Sequence, residues 1–156
     1  TVLATASVTG GSSADTIIGG SSADTITGGA GSDSITGGLG IDNLTGGADN
    51  DTFVFAAGGT SDTAASAATD IINDFSASGM GTDTLVLGAA GSSTNYAESE
   101  TSVDTLATLI TNANTALDGT VIYYFGVTGG NGYLVNGTNI IELVGHTTFA
   151  YGDISA

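Results

Sequence analysis

The chain has no lysine, no arginine, no cysteine and no proline in 156 residues. Its 13 Asp and 3 Glu leave a formal charge of −16 with no basic side chain to offset it. Nucleic acid is therefore excluded as a partner, because phosphate binding needs a basic footprint, and an anionic membrane surface would repel the chain. With no internal cation, the carboxylates have to be solvated or bound to metal. The missing cysteines rule out disulfide staples and thiolate metal sites, and a single histidine leaves little for a transition metal. Hydrophobic residues make up 40% of the chain, yet no apolar run approaches the roughly 20 residues of a membrane-spanning helix, so no membrane insertion is expected. The motifs of common hydrolases are missing too: the sole imidazole, His146, stands outside any H-E-x-x-H pattern, and no G-x-S-x-G elbow occurs. A packing or surface role is expected for His146, and the chain reads as non-enzymatic.

What is present is a period. Aspartate recurs every nine residues at Asp15, Asp24, Asp33, Asp42 and Asp51, each preceded at the same offset by a Gly-Gly pair. In frame the units are GGSSADTII, GGSSADTIT, GGAGSDSIT, GGLGIDNLT and GGADNDTFV, running without insertion over 10–54. Glycine pairs accept backbone conformations closed to other residues, so the first six positions can form a tight turn whose carbonyls converge. The last three positions form a very short strand with one inward apolar residue: Ile17, Ile26, Ile35, Leu44 and Phe53. One such side chain per unit cannot make a core, so stacking must. Two repeats complete one coil, and turns 18 residues apart lie one strand spacing apart, roughly 4.8 Å.

Facing turns at that spacing can share an ion. Calcium suits them because it takes roughly 6–8 oxygen ligands at 2.3–2.6 Å and tolerates mixed carboxylate and carbonyl shells. Asp15 would pair with Asp33, Asp33 with Asp51, and Asp24 with Asp42, which gives at least three Ca2+ ions. An EF-hand is not expected, since the Asp49-x-Asp51 pair lacks the glycine and glutamate that such a loop needs.

The consensus G-G-x-G-x-D-x-U-x resembles the RTX (repeats-in-toxin) β-roll found in serralysin-type metalloproteases, pore-forming toxins and several bacterial S-layer proteins. By that resemblance the second and fourth turn positions give backbone carbonyls and the sixth a carboxylate. The implied ligands are Gly11, Ser13 and Asp15; Gly20, Ser22 and Asp24; Gly29, Gly31 and Asp33; Gly38, Gly40 and Asp42; and Gly47, Asp49 and Asp51. Ser13, Ser22 and Asp49 depart from the consensus glycine. A carbonyl ligand survives that exchange, but the backbone is strained unless φ stays negative.

After the array, residues 51–87 resemble the segment that follows the repeats in serralysin-type C-terminal domains. Alternation predicts strands near 52–56, 70–75 and 84–87, with Ile71, Phe75, Leu85 and Leu87 inward. Asp70 is read as a further calcium ligand because it falls where strands continue the stack, whereas Asp62, Asp74 and Asp83 are read as turn or cap residues. From Thr101 apolar residues recur at helical spacing (Val103, Leu106, Leu109, Ile110, Ala113, Leu117), with Thr101 as N-cap and Gly119 as stop. A strand over 121–127 and a hairpin turning at Asn136-Gly137 are expected to supply the sheet beneath that helix. The same Asn-Gly-Thr matches a glycosylation sequon, but the turn reading is preferred.

The expected fold is mainly β: a parallel β-roll (RTX solenoid) extended by a β-rich C-terminal cap with one α-helix. Its divisions are 1–54 for the roll (repeats 10–54), 55–100 for strand continuation and cap, and 101–156 for a helix-plus-hairpin module. No cleaved leader is visible in the first residues. The resemblance implies type I secretion machinery reading the C-terminal segment, with the protein secreted or at the bacterial cell surface. The expected function is a non-enzymatic calcium-binding C-terminal domain that folds on extracellular Ca2+ and supports secretion and surface or S-layer-like assembly. Self-association or a cell-surface polysaccharide are the further partners. The alternative is a secretion and folding appendage of a secreted hydrolase such as a serralysin-type metalloprotease.

Overall fold

The structure is a computed structural model that describes residues 5–55, 69–76, 82–87, 96–98, 108, 112, 123–136, 139–149 and 154–155. Each repeat contributes one strand: β2 (Thr16–Gly20), β3 (Thr25–Ala30), β4 (Ser34–Gly38), β5 (Asn43–Ala48) and β6 (Thr52–Val54), preceded by β1 (Ser7–Thr9). Four of the strands run on into the following Gly-Gly pair, so they are longer than the three residues the repeat suggests. Pairing is parallel with the 18-residue stagger, as in Ile17↔Ile35 and Ile26↔Leu44. Successive strands therefore alternate between two facing sheets.

Beyond the repeats come β7 (Asp70–Ile72), β8 (Thr84–Val86), β9 (Tyr96–Glu98), β10 (Tyr123–Thr128), β11 (Asn131–Asn136), β12 (Asn139–Leu143) and β13 (Ile154–Ser155). One sheet has eight strands in the order β1-β3-β5-β7-β12-β11-β10-β9, and the other has five in the order β13-β8-β6-β4-β2. The strands β1, β3, β5 and β7 of one sheet and β2, β4, β6 and β8 of the other are the repeats and their flanking continuation, joined without a break to the cap.

Two inward columns form the core. One runs Val8, Ile26, Leu44, Ile72, Leu143 and the other Ile17, Ile35, Phe53, Leu85, Ile154, each partner fixed by strand register. Burying an aliphatic side chain of this size contributes about 1.5–3 kcal/mol, and Ile26, Ile35 and Leu44 are fully buried. Aromatics fill the cap end: Phe75 lies against Phe53 and Phe149, and Phe149 stacks on Phe125 with centroids 5.4 Å apart. His146 is half-buried and meets Phe75 edge-on at 5.9 Å, a packing position.

Three expectations are corrected. The described residues form strands in the order given, with no helical element among them, which overturns a fold class that included one α-helix. The expected helix falls on 101–119, outside the described residues except Thr108 and Asn112, whose backbone is helical. Three-and-four spacing identifies residues that can share a face, but helix stability comes mainly from the packing of that face, which spacing alone cannot supply. Second, Ile72 rather than Ile71 points inward. Pairing with Leu44 fixes it there. Third, β11 and β12 pair as far as Asn136↔Asn139, which places Asn136 at the end of a strand and not in the turn where it was expected. A tight turn at Gly129-Gly130, both with positive φ, joins β10 to β11.

Candidate metal centre

The aspartates end the turns and open the strands, and each carboxylate spans coils. One oxygen, Oδ1, accepts the backbone N–H of the aspartate one coil earlier: Asp33 from Asp15 at 2.8 Å, Asp42 from Asp24 at 2.9 Å, Asp51 from Asp33 at 2.9 Å. Asp24 does the same for Ala6 at 2.7 Å. The ladder continues past the repeats, with Asp70 accepting from Asp42 at 2.8 Å and Asp83 from Asp51 at 2.9 Å. The expected pairs 18 residues apart are therefore adjacent rungs, and Asp70 extends one row. Asp62 lies outside the described residues.

The other oxygen is the informative one. Oδ2 of Asp24, Asp33 and Asp51 is buried and has no hydrogen-bond partner. An ionised oxygen left in that condition is costly, and a chain without lysine or arginine has no cation to offer it. Burial raises the pKa of Asp42, with the charge of Asp24 adding to it against the backbone hydrogen bond. Asp51 is pushed up to about 6, first by burial and then by the charges of Asp83, Asp33 and Asp74, opposed by the N–H of Asp33. Burial likewise raises Asp83, with the charge of Asp74 adding to it and the amides of Asp51 and Ser76 and His146 opposing.

Each orphan oxygen sits over the first glycine of its own repeat. A Cβ built on Gly28 would collide with the Asp33 carboxylate and would lie 2.6 Å from the Gly46 carbonyl oxygen, which belongs to the next coil. The same convergence occurs over Gly10, between Asp15 and the Gly28 carbonyl, and over Gly19, between Asp24 and the Gly37 carbonyl. A cradle of carboxylate and carbonyl oxygens, too tight for any side chain, fits a hard divalent cation. Among the described residues no three His, Cys, Asp or Glu side chains converge on one point. That is consistent with an oxygen set of which only part is carboxylate.

The carbonyls of the second glycines face the next coil: those of Gly11, Gly20 and Gly29 point at the α-carbons of Gly29, Gly38 and Gly47. Gly11 and Gly20 also accept backbone bonds there, from Ala30 at 3.0 Å and Leu39 at 2.8 Å. At the fourth position Gly31 and Gly40 pack on the backbone of Ser13 and Ser22. Neither serine is among the residues with positive φ, whereas Asp49 is, at 79°, so the strain of replacing glycine falls on Asp49 alone. Its carboxylate accepts from Gly31 N–H at 3.2 Å.

Sequence reasoning missed two features. The first-glycine carbonyls of Gly28, Gly37 and Gly46 share the cradles, and nothing in a linear pattern shows where a carbonyl points. Asp83, read as a cap residue, occupies a rung whose Oδ1 accepts the amide of the preceding rung as that of Asp70 does. Here a signal existed, since Gly81-Thr82-Asp83-Thr84-Leu85 repeats the G-x-D-x-U phase of the array.

Stacked coils of two nine-residue repeats each, with a buried carboxylate ladder along their turns, define a structural calcium-binding β-roll, not a catalytic fold. Residues 9–44 and 28–60 match the family model described as the RTX calcium-binding nonapeptide repeat, in four copies. The repeat segment is thus of RTX type. No curated protein matches the chain. Among solved structures, the extracellular lipase LipA from Serratia marcescens is similar with a TM-score of 0.43 and 19% identity over 96% of this chain. The chain spans 20% of that lipase's length.

Proposed function

We propose that this chain is a calcium-dependent folding module of a protein that works outside the cell. The observation that carries the reading is the set of orphan Oδ2 atoms at Asp24, Asp33 and Asp51, buried in a chain that has no cation of its own. Without calcium the ladder places like charges one coil apart. With calcium at the cradles, the same charges become the crosslink between coils, and binding free energy becomes folding free energy. At least three ions follow from the pairs Asp15 with Asp33, Asp33 with Asp51, and Asp24 with Asp42. The proposed ligands are those of the repeat pattern and Asp70, together with the first-glycine carbonyls. The proposed divisions remain 1–54, 55–100 and 101–156.

Export through type I machinery, a location at the bacterial surface and a part in S-layer-like assembly complete the proposal. The absence of Lys and Arg supports it, since calcium is then the one bridge available between the acidic turns of neighbouring molecules. The direct test is a calcium titration followed by far-UV circular dichroism. A β-sheet spectrum that is equally developed in excess chelator would sink the folding role. Electron microscopy of the purified chain separates the assembly role: calcium-dependent sheets or filaments support it, and a monodisperse monomer counts against it.

A further inference from the structure

The orphan oxygens have a direction. In the repeats Oδ1 reaches back one coil while Oδ2 faces forward, as Asp33 shows by sharing the space over Gly28 with the carbonyl of Gly46. Asp51 follows the rule, with its Oδ2 over Gly46. The coil it faces, however, is not a repeat. Register pairs Leu44 with Ile72, which puts Asp74 where a first glycine would stand, and the bond from Asp51 N–H puts Asp83 at the sixth position.

This forward turn brings carboxylates where the repeats bring neutral carbonyls. Asp74 accepts from the N–H groups of Gly46 at 2.9 Å and Gly47 at 2.8 Å, and so lies directly against the first-glycine cradle. Asp83 accepts from Asp51 and, through its second oxygen, from Ser76 at 2.9 Å. Between them Asp51 is 1% exposed, with an Oδ2 that nothing satisfies. We propose that a hard divalent cation binds at this junction on Oδ2 of Asp51, with Asp74 and Asp83 as neighbouring charges that do not converge on one point with it, so that metal binding joins the cap to the roll. Both flanking residues lie outside the segment that matches the repeat family. Resting on the calcium-binding role proposed above, this adds a position on the row of Asp15, Asp33 and Asp51. The extra negative charge of Asp74 makes it the tightest position of that row.

The test uses the full chain and two readouts. Calorimetric titration with calcium counts ions, and the ring-proton resonance of His146 reports on the junction. That resonance is unique because the chain has one histidine, and the ring rests on Phe75, next to Asp74. Asp83→Asn keeps an oxygen to accept the Asp51 N–H but removes the charge. It is expected to bind one ion fewer than wild type and to lose the His146 shift at low calcium. Asp24→Asn, on the opposite row, is expected to lose an ion while keeping that shift. Equal ion counts in Asp83→Asn and wild type, with the His146 response at unchanged calcium, overturn the junction site. If Asp83→Asn does not fold, Asp74→Asn, whose side chain is only half-buried, decides on the same two readouts. A wild-type chain that takes up no calcium overturns the calcium-binding role itself.

Discussion

Replacing Gly28 by alanine puts one methyl group where the cradle geometry reserves room for an ion. Gly28 is not among the residues with positive φ, so the backbone tolerates alanine and the effect is steric. The added Cβ would press on the Asp33 carboxylate and lie 2.6 Å from the Gly46 oxygen. Overpacking of this kind costs about 1–3 kcal/mol whatever the calcium concentration. Loss of the ion adds a term of different form. Each bound ion makes stability rise by about 1.4 kcal/mol per tenfold increase in free calcium. Three ions in the repeats should contribute about 4 kcal/mol per decade, the junction ion about 1.4 kcal/mol more, and Gly28→Ala should lower the total by about 1.4 kcal/mol. Urea denaturation at a series of buffered calcium concentrations measures both slopes. Gly132→Ala is the control, because its Cβ meets the His146 carbonyl and the Phe125 ring and no carboxylate of the ladder. It should lower stability at every calcium concentration without changing the slope. A Gly28→Ala slope equal to that of wild type would refute the assignment of an ion to this cradle.

Ile35→Ala in the fully buried column should cost about 2–5 kcal/mol in saturating calcium, read from the urea midpoint; a loss under about 1 kcal/mol would mean that the column is not close-packed. Asp49→Gly removes the one non-glycine residue with positive φ among the described residues and should raise the melting temperature by a few degrees, equivalent to about 0.5–1 kcal/mol, despite losing the exposed bond to Gly31. The third prediction concerns acid. Asp51 has a folded-state pKa of about 6, above its ordinary 3.8, so the folded form holds its proton more tightly and stability is lost as pH rises between those values. In chelator, folding should therefore increase on acidification from neutral to about pH 5, and a monotonic loss of β-structure by circular dichroism over that range would contradict it.

The repeat unit made the roll legible because its information is local. Glycine, aspartate and aliphatic residue stand at fixed offsets within nine positions, and stacking simply repeats them. Where the period breaks, the reading weakened. Asp70 follows its partner Asp42 by 28 residues and Asp83 follows Asp51 by 32, instead of 18, so 10 and 14 residues are inserted (28 − 18 and 32 − 18). Without the period, alternation alone placed Ile71 inward, although the D-x-U phase from Asp70 gives Ile72. The helix expectation came from spacing in a region with no such anchor. The direction of the Gly28 and Gly46 carbonyls depends on the coil above, which no linear pattern contains.

The way each Oδ1 reaches back gives the roll a polarity that its nearly identical repeats conceal. In the repeats an aspartate amide finds its acceptor in the coil that follows, whereas the amide of Asp83, the last described rung of its row, donates to the Ser76 carbonyl within its own turn at 2.8 Å. Among the described residues, the row that ends at Asp83 is thus closed without waiting for a later coil. Assembly that starts there and proceeds backward along the chain leaves no amide unanswered behind it. Winding in the opposite sense would leave an open amide at every step.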